Sequence, residues 1–113
     1  MRYLLLVCVD ESPQMTPEEN AEHMMAVRSW VREMGDRGIR VLGDRLRPAS
    51  DAIALQVRDG ELLMSEGPFA EAKEQMGGFD VIECADQDEA IEVASRHPGA
   101  QYGTIELRPF WPE

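Results

Sequence analysis

The sequence predicts an α+β domain in which two helices cover one face of an antiparallel sheet. Three observations predict it. Two capping-box helix starts, "TPEE" at 16–19 and "DQDE" at 86–89, each lead into a segment with helical character. Short apolar or alternating runs at 2–9, 39–43, 52–58, 61–65, 79–84 and 101–110 read as strands. Their order is β-α-β-β-β-β-α-β. With the inner hairpin set aside this is a split βαβ, the ferredoxin-like plan carrying an inserted β-hairpin.

Residues 2–9, "RYLLLVCV", are apolar on both alternating sets. Such a strand is central and covered on both faces. In the first helix Thr16 caps, Pro17 suits the first helical position and Glu19 completes the box. Met24, Val27, Val31 and Met34 form its stripe, flanked by Trp30 and His23, and Gly35 or Gly38 ends it. "IRVLG" is a short strand. "AIALQVR" puts Ile53, Leu55 and Val57 on one face, "DG" at 59–60 is a two-residue turn that needs positive φ, and "ELLMS" is the return strand. Asp86 caps the second helix with Glu89 reaching back, and that helix stops before Pro98. Ile105 and Leu107 of the last strand point inward. Two helices cover one sheet face only, so the doubly apolar first strand predicts a homodimer in which a second copy covers the other.

Composition bounds the function. The chain has 113 residues, which suggests one domain over 1–113, and its net charge is −11. That charge argues against nucleic acid and against an anionic membrane as partner. Residues 28–58 nevertheless hold seven arginines against four acids, whereas 59–113 hold thirteen acids against three cations. The first set offers a cationic mouth for a small anion. Cys8 and Cys84 lie in separate apolar runs without metal spacing, and read as small core residues of a cytoplasmic protein. The opening apolar run is too short to span a membrane. Two distant histidines with no ligand spacing predict no metal, and "GG" at 77–78 is no phosphate or dinucleotide fingerprint, so no cofactor is expected.

The stretch "SEGPFAEAKEQMGGF" at 65–79 has the densest backbone punctuation. Pro68 fixes its own φ and restricts Gly67, Phe69 is an apolar anchor, and "AEAKEQ" has room for a turn or two of helix before the glycines. A stiff connector here holds Glu66 at a strand end, aimed into a cleft.

The run "RDGELLMSEGPFAEAKEQMGGFDVIE" resembles the signature of the YCII-related superfamily and, within it, the DGPF-domain family, with Glu66-Gly67-Pro68-Phe69 in place of Asp-Gly-Pro-Phe. The likeness extends to "MRYLLLV", "LRP" at 46–48 and "YGTIELRP", nearly the whole chain. It implies a ferredoxin-like fold assembled as a dimeric α/β barrel. The superfamily includes proteins with a proposed His–Asp pair in a cleft and a dehydrochlorinase acting on a chlorinated hydroxyquinol. The helix-borne candidate for that histidine is His23, one turn earlier than the superfamily position.

These readings converge on an acid/base site. Glu66, His23 and Asp10 are the expected catalytic residues, a carboxylate pair and an imidazole being able to divide acid and base roles. Arg45, Arg47, Gly67, Pro68 and Phe69 are the expected ligand-binding residues. His97, before Pro98, is expected only to bind the last carbonyls of its helix. The first functional expectation is a lyase or isomerase transferring protons on a small anionic or phenolic metabolite. The alternative is a non-catalytic ligand-binding or protein-interaction module, since the resemblance extends to domains linked to sigma factors of the extracytoplasmic-function class.

Overall fold

The computed structural model describes residues 1–12, 15–70 and 72–112. Among the described residues there are six strands: β1 (Arg2–Val9), β2 (Arg40–Arg45), β3 (Ile53–Arg58), β4 (Glu61–Glu66), β5 (Gln75–Glu83) and β6 (Gly103–Pro109). Two α-helices, α1 (Pro17–Asp36) and α2 (Gln87–Ser95), join short 3-10 turns at Ala49–Asp51 and Pro98–Gln101. β2, β5, β1 and β6 form one antiparallel sheet in that order, while β3 and β4 form a separate two-stranded ribbon. The fold is α+β, compatible with a ferredoxin-like plan, and β1 is central as its two apolar faces require.

Both helix starts are built as the sequence dictates, with one difference. Thr16 accepts from the Glu19 amide at 3.1 Å and Glu19 accepts from the Thr16 amide at 3.0 Å. Asp86 accepts from the Glu89 amide, but the Glu89 carboxylate reaches one residue further back, to the Ala85 amide at 2.9 Å. α1 ends in a Schellman arrangement: the Ile39 amide donates to Met34 O and the Gly38 amide to Gly35 O, with Ile39 and Met34 both buried. The core lies between helices and sheet, where Trp30 and Met34 meet Tyr3, Leu5, Ile82, Val93 and Ala94. The Trp30 indole donates to Val93 O at 3.1 Å and ties α1 to α2.

By strand alternation, Leu4, Leu6, Phe79 and Val81 point away from the helices. Each is only half-buried, and exposed Leu42 lies opposite Val81. Cys8 shares this open face. It is half-buried, so of the two cysteines only Cys84 is a core residue. No helix among the described residues is long and apolar enough to cross a membrane.

The connector over 67–74 differs from expectation. Glu71 lies outside the described residues, the rest of 70–74 forms bends with no helical turn, and β5 begins at Gln75, four residues early. Polar "AEAKEQ" has no apolar face to dock, so a helix there gains nothing from packing. Gly77 and Gly78 are strand residues. Phe69 is 78% exposed and anchors nothing within the chain. The Asp59–Gly60 turn has the expected positive φ values, 50° and 78°.

Candidate functional site

Among the described residues, one charged cluster is buried between the sheet and the helices. Asp80 lies on the helix-facing side of β5, two residues before the core residue Ile82. Arg40, on neighbouring β2, donates from Nε to Asp80 Oδ1 at 2.7 Å. Gly43 makes that geometry possible. A Cβ at this position would collide with Asp80 Oδ1 and would sit 2.5 Å from Phe79 O and 2.7 Å from Arg40 Nη2. Burial pushes the Asp80 carboxyl up, while its bond to Arg40 pulls the other way.

His97 completes the cluster. It is 5% exposed and stacks edge-on against Trp30, with ring centroids 4.7 Å apart. Its Nδ1 accepts from the Gly99 amide at 2.9 Å, capping the 3-10 turn that follows α2. This is opposite to the expected role of binding helix carbonyls, because a ring nitrogen with a lone pair serves an amide and not an oxygen. With Nδ1 accepting, the neutral ring carries its proton on Nε2, which faces Asp80 Oδ2 at 3.9 Å. Burial, then the neighbouring charges of His23 and Arg40, lower the His97 pKa to about 4.

His23 lies at the outer edge of this cluster. Its ring meets Tyr102 edge-on at 5.2 Å, and its Nδ1 is buried without a hydrogen-bond partner. Burial and the positive charge of Arg45 lower its pKa, so the ring is neutral at pH 7. Arg40 and Arg47 are taken by Asp80 and Asp51, which leaves Arg45 with no carboxylate partner among the described residues. The charge of Arg45 thus reaches the neutral His23 ring.

The remaining sequence-predicted residues lie elsewhere. Glu66 is the last residue of β4, exposed, and makes no ion pair among the described residues. It borders an open cavity of about 250 Å³ with Ile53, Met64 and Ser65. Gly67 has φ 92°, which a side chain rarely adopts, and its amide donates to Ala52 O at 2.7 Å. Pro68 and Arg47 line a second open cavity of about 530 Å³ with Leu46, Asp51 and Met76. The Asp10 carboxylate accepts from the Ser12 amide, a local turn. The structure therefore places Arg47 and Pro68 on one cavity and Glu66 on another, with His23, Arg45 and Asp10 on neither. Asp80 and Tyr102 are not singled out by the sequence, and His97 is given only a helix-end role by it. The legible signal was an acid two residues before Ile82 on a strand whose inward set is otherwise apolar.

Comparison with known proteins agrees with the architecture. The chain is 35% identical over 114 residues to Uncharacterized protein R00369 of Rhizobium meliloti (strain 1021), an alignment covering 97% of this chain and 92% of that protein. The family model of the YCII-related domain matches residues 1–113. The chain belongs to the YCII-related domain family.

Proposed function

We propose that the protein is a proton-transfer enzyme, of lyase or isomerase type, acting on a small anionic or phenolic metabolite. The observation that carries this reading is His23, a half-buried imidazole with an unpartnered Nδ1, edge-on to Tyr102, whose pKa is lowered by burial and by the charge of Arg45. Arg45 holds the anionic group. His23, kept neutral by burial and by that same cation, takes a proton from the bound molecule. The buried His97–Asp80–Arg40 cluster keeps a second imidazole neutral. The Glu66-Gly67-Pro68-Phe69 sequence supports a place in the DGPF branch of its family.

A second reading is a non-catalytic binding module, favoured by one observation: the two cavities are both open and neither contains His23. One experiment separates the readings. Small carboxylates and phenols are screened by thermal shift, where a ligand at 100 times its Kd adds about 2.7 kcal/mol of stability. Each stabilising compound is then incubated with the protein in D2O and followed by NMR. The enzyme reading expects deuterium uptake or turnover, lost in His23→Gln while binding persists, and weakened binding in Arg45→Gln. Binding without exchange in the wild-type protein selects the module.

A further inference from the structure

Three segments close around the larger open cavity of about 530 Å³: the turn after β2, Pro68 beyond the end of β4, and the start of β5. Each is held by a hydrogen bond outside the strand ladders. The Leu46 amide donates to Gly77 O at 2.9 Å, the Gly67 amide to Ala52 O at 2.7 Å, and the Ala49 amide to the Glu11 carboxylate at 3.1 Å. Pro48 and Pro68 stiffen two of the walls. The hollow is thus preformed, and its volume is within the roughly 300–1,000 Å³ of small-ligand sites. The lining is mostly apolar, from Leu46, Pro48, Ala52, Pro68 and Met76. Leu46 and Met76 remain 39% and 43% exposed, so both have apolar surface left to bury. One cation stands among them. Arg47 donates from Nε to Asp51 Oδ2 at 3.1 Å, which orients the guanidinium. Among the described residues its two terminal amino groups make no hydrogen bond. They form the fork that takes a carboxylate through two parallel bonds.

We propose that this cavity binds a small aryl monocarboxylate, with the ring on Met76, Leu46 and the prolines and the carboxylate on the Arg47 fork. The thioether of Met76 suits an aromatic ring and adapts to its shape. The surrounding charges select a monoanion. Asp51 already sits on the Arg47 guanidinium and Glu11 on the Ala49 amide, so phosphate or a dicarboxylate meets two carboxylates for one cation. A neutral ring gains the apolar contacts alone. His23 and Arg45 do not line the cavity, so the site is separate from them and the inference does not depend on proton transfer at His23. It also gives the stretches "LRP" and "GPF" a common purpose: both lead to this hollow, one through Leu46, Arg47 and Pro48 and the other through Pro68.

NMR titration of the labelled protein tests this, with benzoate as probe, benzyl alcohol as its neutral counterpart and inorganic phosphate as a competing anion. Benzoate should shift the Met76 and Leu46 methyls and the Gly67 amide along one saturating curve, with Kd on the order of 1 mM for a fragment of that size. Benzyl alcohol should shift the same methyls more weakly, and phosphate should not displace benzoate; neither comparison needs a variant. Arg47→Gln should weaken benzoate about fivefold, a modest factor because the Arg47 side chain is 85% exposed, and leave benzyl alcohol unchanged. Arg45→Gln and His23→Gln should leave the benzoate shifts at Met76 in place, which separates this site from the proton-transfer reading. The inference is overturned by benzoate shifts that do not saturate at Met76 and Leu46 or that centre on His23 and Tyr102. Displacement by phosphate, or an Arg47→Gln protein that binds benzoate as the wild type does, also overturns it.

Discussion

Arg40 and Asp80 face each other across β2 and β5 at 2.7 Å, and the glycine at position 43 leaves the space in which they meet. The pair is mostly buried, so removing one partner strands the other. Arg40→Leu should destabilise the protein by about 3 kcal/mol, the range for an uncompensated buried charge. Urea melts check this, and the double variant Arg40→Leu with Asp80→Leu should recover part of the loss.

Gly43→Ala should be costly for a change of one methyl. Its Cβ would overlap the Asp80 carboxylate and a backbone carbonyl, and the carbonyl cannot rotate away. Overpacking of this kind costs about 1–3 kcal/mol. Gly35→Ala, whose Cβ meets nothing within 4 Å, is the control and should be neutral or stabilising.

Stability should fall with acid through a defined window. The His97 pKa is about 4 in the folded protein and about 6.5 when unfolded, so the unfolded chain binds the extra proton between those values. The stability that neutral His97 contributes is present above pH 6.5 and is lost as pH falls towards 4. Its size is on the order of 3 kcal/mol. His23, also lowered, acts in the same direction, whereas Asp80, raised by burial, opposes both at the acid end. Urea melts at pH 7.5, 6 and 5 should show the slope, flattened in His97→Gln.

Gly67→Val should cost about 1–3 kcal/mol, the range for a side chain held at an unfavourable φ. The added Cβ meets no neighbour, so the cost is backbone strain alone and Gly67→Asn should cost less. Hydrogen exchange at the Gly67 amide, bonded to Ala52 O, reports whether the loss stays local to the ribbon base.

Glu66→Gln should leave the urea melt within about 0.5 kcal/mol of wild type, as befits an exposed side chain without an ion pair. A larger loss would mean that the carboxylate has a structural partner.

Most of the fold was legible because its signals are local. Thr16 to Glu19, Asp59–Gly60 and the doubly apolar β1 each declare an element within a few residues. The charged cluster was not local. Asp80 and His97 belong to β5 and to the turn after α2, and they meet only once α2 has folded back across the sheet. Tyr102 reaches His23 from the far end of the chain in the same way. His23 and Arg45 were legible as residue types able to act, but the surroundings of His23 were not. Phe69 misled because an aromatic after Gly-Pro suggests an anchor, and only the packed structure shows nothing to anchor on.

The central position of β1 also sets how the chain must fold. Its two ladder neighbours begin at Gln75 and Gly103, so the first strand has no lateral partner until most of the chain is available. Loops of that length close slowly, and folding governed by such distant pairings is slow for a domain of this size. Through that interval "LLLVCV" is an apolar segment with two open edges, the kind that aggregates from partly folded states. Refolding yield should therefore depend steeply on protein concentration, even though the finished sheet keeps both edges of β1 occupied.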